Sequence, residues 1–390
     1  MHATKLLHKT ISNSCSIHEV RLNRLLICVN SIVSGSSLTL TSIGELSKGN
    51  SAVKHKIKAA DRLLRNQHLQ KEKKQIYKAL ANLFLASRSR PEIFVDWSTC
   101  NTRTHQVIRA SALFDGRSIT IYEEIYHETE HNTKATHKLF LNSLFEIIPR
   151  NCKPIIITDA GFRTDWFKMV LHLGWDFIGR IRNRINFYAR DLDKWLACDD
   201  VVLKKLNYVD YIGNVLLTLR NKLAVNLYSY KGKSKGRTTN KGSRDQQYPY
   251  QKSYKDPWIL ATSLEKSRTS GQRIVHLYSK RMQIEQTFKD LKDPTTGIGL
   301  AQSRTKCLDR LKILFLIARL AEFILLIIGV AAEKSYLQYK YQSNSIKGRR
   351  VLSYQFLAKR VIQNDIKSIS YQALNVAIDF ISTFVDPHYA

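Results

Sequence analysis

Two aspartates close apolar, strand-like runs: Asp96 ends IFVD and Asp159 ends IIITD. Only 32 of the 390 residues are acidic, so a carboxylate at such a position is informative. Open α/β sheets bind their ligands beyond the C-terminal ends of their strands. A third carboxylate, Glu285, lies in IVHLYSKRMQIEQTFKDLK, which reads as one helix from Ile274 to Lys292. At about 100° per residue, Tyr278, Arg281, Glu285 and Lys292 share a stripe about 60° wide. Leu277, Ile284, Phe288 and Leu291 form an apolar face beside it that can seat the helix on a sheet. Three carboxylates can hold two hard cations about 3.5–4 Å apart, the arrangement that phosphodiester cleavage with hydroxyl nucleophiles requires. Arg281 and Lys292 could grip phosphates beside the scissile bond, and Tyr278 could hydrogen-bond one. Taken singly, the aspartates also suit caps or turns, and an Arg–Glu pair at i,i+4 also suits a solvated surface.

These groups need elements to hold them. Residues 1–90 read as helices, and LTLTSIGELSKGNSAVKHKIKAADRLLRN has the pattern of a helix-turn-helix. Its second run presents Lys54, Lys58, Arg62 and Arg65 at helical spacing, with Val53, Ile57, Ala60, Leu63 and Leu64 available for a core. Lys54, Lys58 and Arg62 are expected to contact DNA, with a solvated basic face as the plainer reading. At Pro91 the apolar period changes from about 3.6 to about 2. EIFVDWS, QVIRASALF and SITIYEEIY read as strands, the last two joined through the tight turn Asp115-Gly116. A helix (HKLFLNSLFEII), a strand (KPIIITDAG), a helix (RTDWFKMVLHLG) and a strand (WDFIGRIR) follow, which predicts an α/β fold with a mixed sheet and helices on its faces.

Residues 183–256 break this order and read as a β-rich basic insertion. Its run YKGKSKGRTTNKGSR places Lys231, Lys233, Lys235 and Arg237 where they could order on a phosphate backbone. The sheet pattern resumes at PWILATSL, so residues 91–182 and 257–300 form the expected core, and 301–390 a helical C-terminal region.

Lysine and arginine number 62, giving a net charge of +30 on a chain that is 44% apolar and 10% aromatic. That combination predicts a folded protein with a polyanionic partner. The N-terminus has no unbroken apolar stretch with a small-residue cleavage site, and none of the six cysteines forms a CxxC pair, so a reduced cytoplasmic protein is expected. Ile313 to Ala332 has the length of a membrane span. Arg319 and Glu322 near its centre would each cost about 3 kcal/mol in a bilayer, so a buried helix and no membrane partner are expected.

The pattern Tyr278-x2-Arg281-x3-Glu285-x6-Lys292, together with VDWS and ITDAGF, resembles the YREK signature and the aspartate motifs of bacterial insertion-sequence transposases related to transposons five and ten. DRLLRNQHLQKE, YSKRMQIEQTF and YKGKSKGR are most similar to the transposon-ten type. The resemblance implies an RNase H-like core interrupted by the insertion, a DDE triad of Asp96, Asp159 and Glu285, and two Mg²⁺ ions that Mn²⁺ can replace. It further implies cut-and-paste transposition through a DNA hairpin, with transposon ends and target DNA as partners, a homodimer on DNA, and a nucleoid location when bound. Tyr278, Arg281, Met282 and Lys292 would contact DNA, Met282 standing where many members carry tryptophan. Two rival readings remain: a DNA-binding protein with an inactive nuclease-like fold, and a membrane-associated zinc peptidase built on His127-Glu-Thr-Glu-His131. The latter stretch has no apolar residue to seat a helix and reads as an exposed loop.

Overall fold

The computed structural model describes residues 1–182, 185–201, 205–232 and 257–384. Alternating and continuous apolar residues after Pro91 build an antiparallel meander of β1 (Glu92–Thr99), β2 (His105–Phe114) and β3 (Arg117–His127). Asp115 and Gly116 turn the chain between β2 and β3 with φ of 32° and 75°, the left-handed conformations that a two-residue hairpin turn requires. The short apolar runs β4 (Ile155–Thr158) and β5 (Asp176–Ile181) extend the sheet in parallel beside β1. Their crossovers carry α6 (Lys134–Ile147) and α7 (Thr164–His172).

Four further strands, β6 (Asn186–Ala189), β7 (Lys194–Ala197), β8 (Val209–Leu217) and β9 (Leu223–Tyr230), continue the same sheet. The link is β10 (Trp258–Thr262), which pairs antiparallel with β5 on one side and β9 on the other. The result is one ten-stranded mixed sheet in the order β3-β2-β1-β4-β5-β10-β9-β8-β6-β7.

The N-terminal helices are α1 (His2–Ser14), α2 (Glu19–Val33), α3 (Leu40–Glu45), α4 (Val53–Leu64) and α5 (Gln67–Leu85). Helices α3 and α4 cross at Gly44, where a Cβ would stand 2.4 Å from Ile57 Cγ1, so no larger residue allows this approach. Val53, expected in the core, is 47% exposed at the first turn of α4, and Ala59 takes a buried place instead. Following α8 (Gly271–Ser279) and α9 (Met282–Lys292), the long α10 (Leu308–Lys334) is apolar enough to cross a membrane by length and composition. Its most apolar window is 94% buried inside the fold. It packs among α2, α4, α5, β3, α11 (Tyr354–Asn364) and α12 (Tyr371–Thr383), so both ends of the chain share one core. Arg319 and Glu322 lie buried on it, 3.9 Å apart.

One expectation needs correcting. The single helix read from Ile274 to Lys292 is two helices, because the turn at Lys280–Arg281 tightens. There the Arg281 N–H bonds the Tyr278 carbonyl at 3.1 Å and the Ile284 N–H bonds the Arg281 carbonyl at 3.1 Å, a three-residue spacing that rotates what precedes it off the common stripe.

Candidate active site

Asp96 lies in the second half of β1, one residue past the last pairing of β1 with its parallel neighbour β4 (Val95 with Thr158), and Asp159 directly follows β4. The two aspartates therefore stand on adjacent strands at one sheet edge. Helix α9 brings Glu285 over the same edge on its first turn, seated through buried Ile284, Phe288 and Leu291. Asp96 Oδ1 accepts the Trp97 N–H at 2.9 Å, and Asp159 Oδ1 accepts the Gly161 N–H at 2.8 Å.

Arg281 ties the set together. Its Nη1 donates to Asp96 Oδ2 at 3.1 Å, while Nη2 pairs with Glu285 Oε1 at 2.5 Å. Burial pushes the Asp96 carboxyl up to about 7; Arg281 opposes the shift, and Asp159 and Glu285 add to it. Burial acts to lower the Arg281 guanidinium, but Tyr278, Asp96, Glu285 and Asp159 together hold it above its ordinary value. Beside these groups opens a cleft of about 500 Å³ that Asp96, Glu285, Lys289 and Lys292 help to line. Lys292 Nζ donates to Ser98 Oγ at 2.8 Å, and partial burial lowers its ammonium.

All-oxygen, anionic donors are the chemistry that hard divalent cations take. Asp96, Asp159 and Glu285 supply three such groups against the one guanidinium of Arg281, so the donor set fits. Among the described residues, no three His, Cys, Asp or Glu side chains converge on a single metal position. Arg281 lies between Asp96 and Glu285, where it supplies the positive charge.

The remaining expected site residues are distributed as follows. Tyr278 is only 4% exposed and meets the Trp258 ring edge-on at 4.9 Å, so it backs Arg281 from the core and does not stand on an exposed stripe with it. Met282 is 49% exposed. Lys54, Lys58 and Arg62 are exposed along the outer side of α4, while Asp61 on its inner side pairs with Arg310 of α10 at 2.6 Å. Lys231 is half-buried just beyond β9; Lys233, Lys235 and Arg237 lie outside the described residues. His127 ends β3, and Glu128–Glu130 form a single exposed 3₁₀ turn.

Other groups at the edge are marked in the sequence by spacing alone. Ser98 is two residues beyond Asp96 and so on the same strand face, and Lys289 is one helical turn beyond Glu285. Trp97 faces the other way. Its Nε1 donates to His137 Nε2 at 3.3 Å and its ring meets His131 at 4.9 Å, contacts between distant segments that local spacing cannot reveal.

Comparison with known families gives one match: residues 86–321 fit the model of the transposase DDE domain. No match to a curated protein was found. The matched span runs from just before β1, through the whole sheet and α9, into α10, and so contains all three edge carboxylates. The chain belongs to the transposase DDE domain family, nuclease-type enzymes with RNase H-like cores that act on DNA and generally use divalent metal ions.

Proposed function

We propose that the chain is an insertion-sequence transposase of the YREK type that binds transposon ends, cleaves them, forms a hairpin and transfers the strand to target DNA. One observation carries the reading: Arg281 bridges Asp96 and Glu285, carboxylates from separate elements, beside an open cleft, with Asp159 following the adjacent parallel strand. Asp96, Asp159 and Glu285 would hold two Mg²⁺ ions, or Mn²⁺ in their place, which when bound activate the attacking oxygen and stabilise the leaving one.

The other residues act on the DNA. Arg281 partly offsets the carboxylates in the free protein and could turn toward a phosphate if bound cations took over that charge, while Tyr278 supports it from behind. Lys292, held by Ser98, and Lys289 offer cations to phosphates in the cleft. Met282 is free to touch DNA without stacking as an aromatic ring would. Residues 1–90 are assigned to end binding through Lys54, Lys58 and Arg62, residues 91–182 and 257–300 to catalysis, and 183–256 to backbone contact through Lys231, Lys233, Lys235 and Arg237. Residues 301–390 complete the core. Two copies would pair two ends, in a cytoplasmic, nucleoid-bound complex.

Mg²⁺-dependent nicking of a duplex carrying the element's terminal repeats is the test, with nicking stopped by a chelator. Binding without any cleavage would instead favour an inactive nuclease-like DNA-binding protein. The zinc-peptidase reading has no support, since the family match points to DNA and the HETEH segment lies at a strand end and one exposed turn.

A further inference from the structure

A groove of about 980 Å³ lies between α5 and the C-terminal end of α6. Lys71, Lys74 and Lys78 line one wall and Arg150 the other, with Glu146 the one carboxylate among the lining residues. Glu146 pairs with Lys74 at 2.6 Å. Lys71, Lys78 and Arg150 are exposed, and among the described residues no ion pair occupies them. At i and i+7, Lys71 and Lys78 share one side of α5 and span about 10 Å along it, a length that meets several charges of a duplex carrying one per about 1.7 Å.

The groove opens at the end of the parallel strands opposite the catalytic edge. Arg150 and Cys152 lie in the link that enters β4, and Trp175 immediately precedes β5. These are the N-terminal ends of the parallel strands, whereas Asp159 stands just past the C-terminal end of β4, about 13 Å away along that four-residue strand, with Asp96 at the same level of β1. The positive surface continues over α6 and α7, where Lys138 and Lys168 border a second hollow of about 310 Å³. Neither hollow shares a residue with the catalytic cleft.

We propose that the groove between α5 and α6 holds the phosphate backbone of a DNA duplex segment other than the one being cut. The inference rests on the transposase reading for its partner, and the groove's uncompensated charge supplies its own part. Phosphate neutralisation releases counterions, so each lost contact should flatten the dependence of binding on salt.

The full chain and its Lys71→Gln, Lys78→Gln, Arg150→Gln triple variant should be compared by fluorescence anisotropy on a labelled duplex across a salt series. The slope of log K against log[salt] should become shallower by about two to three in the variant, with wild-type nicking at saturating DNA. A control triple, Lys9→Gln, Lys347→Gln, Lys367→Gln, removes the same charge from exposed sites elsewhere and should leave the slope nearly unchanged. An unaltered slope in the groove variant overturns the proposal, as does an equal change in the control. So does loss of self-association at constant slope, which would make the groove a seat for a second copy. If the wild-type chain binds DNA but never cuts it, the transposase reading fails while the slope comparison still decides the groove.

Discussion

Two arginine–carboxylate clusters stand side by side in the sheet, and they differ in what they leave unbalanced. Asp96 of β1 is the cross-strand partner of Arg109 on β2, which is in turn the partner of Glu123 on β3. Arg109 is 1% exposed, meets Glu123 through Nε at 2.8 Å and Nη2 at 2.7 Å, and lies over the Phe288 ring at 4.4 Å. Arg319 and Glu322 of α10 complete this interior set, two arginines against two glutamates. At the edge, one arginine faces three carboxylates. A sealed cluster is closed to partners from outside, and its role is to fix how β1, β2, β3 and α9 pack. A half-open cluster with surplus negative charge attracts a cation, and perturbed titration in a cleft marks it as a place for chemistry.

The largest effect expected from this contrast is on cleavage. Asp96→Asn, Asp159→Asn and Glu285→Gln should each reduce nicking to background while DNA binding stays within a few-fold, since an amide keeps the shape but loses the charge that holds a divalent cation. One variant cutting at near wild-type rate would remove that residue from the triad and put the contrast in doubt.

Stability should separate the clusters next. Arg109→Met strands Glu123 in the interior and should cost about 3–5 kcal/mol in denaturant unfolding, with no recovery in Mg²⁺. Arg281→Ala should cost less, about 1 kcal/mol, because Glu285 reaches solvent and the buried Asp96 can keep its proton, and millimolar Mg²⁺ should restore the loss by binding only the folded state. Equal costs, or an equal response to Mg²⁺, would erase the distinction. In cleavage assays Arg281→Ala should still nick ends but accumulate the nicked species, because bending a strand for hairpin closure needs phosphate clamps more than hydrolysis does.

Much of this arrangement was legible in one dimension. The change of period at Pro91, the Asp115-Gly116 turn and the apolar runs ending in Asp96 and Asp159 mark the meander and the two parallel strands, since burial on one or both faces dictates those patterns. The break at Lys280–Arg281 was not legible, as no glycine or proline announces it. Tyr278 turns inward against Trp258, twenty residues earlier on a strand whose pairing with β5 and β9 only the assembled sheet determines. Arg109 and Glu123 gave no local sign either. A lone arginine in β2 and one of two adjacent glutamates in β3 become a pair only when the register sets them opposite each other.

The smallest effect concerns pH, and it isolates the interior cluster. Burial pushes the Glu322 carboxyl from 4.5 up to about 7; Arg109 and Arg319 oppose the shift, and Glu123 and Asp290 reinforce it. Between those two values the folded protein binds a proton that the unfolded chain has released, so the Glu322 contribution to stability is full below pH 4.5 and declines until about pH 7. Asp96 is raised to about 7 as well, and would blur the measurement. The comparison should therefore be made in an Asp96→Asn background, without divalent metal, by urea midpoints at intervals from pH 4.5 to 8. Adding Glu322→Gln should flatten the decline, the double variant gaining on the single one as pH rises. Parallel curves would mean that Arg109 and Arg319 already hold Glu322 ionised, and the interior set would then be a permanent double salt bridge instead of a balance in which one acid keeps its proton.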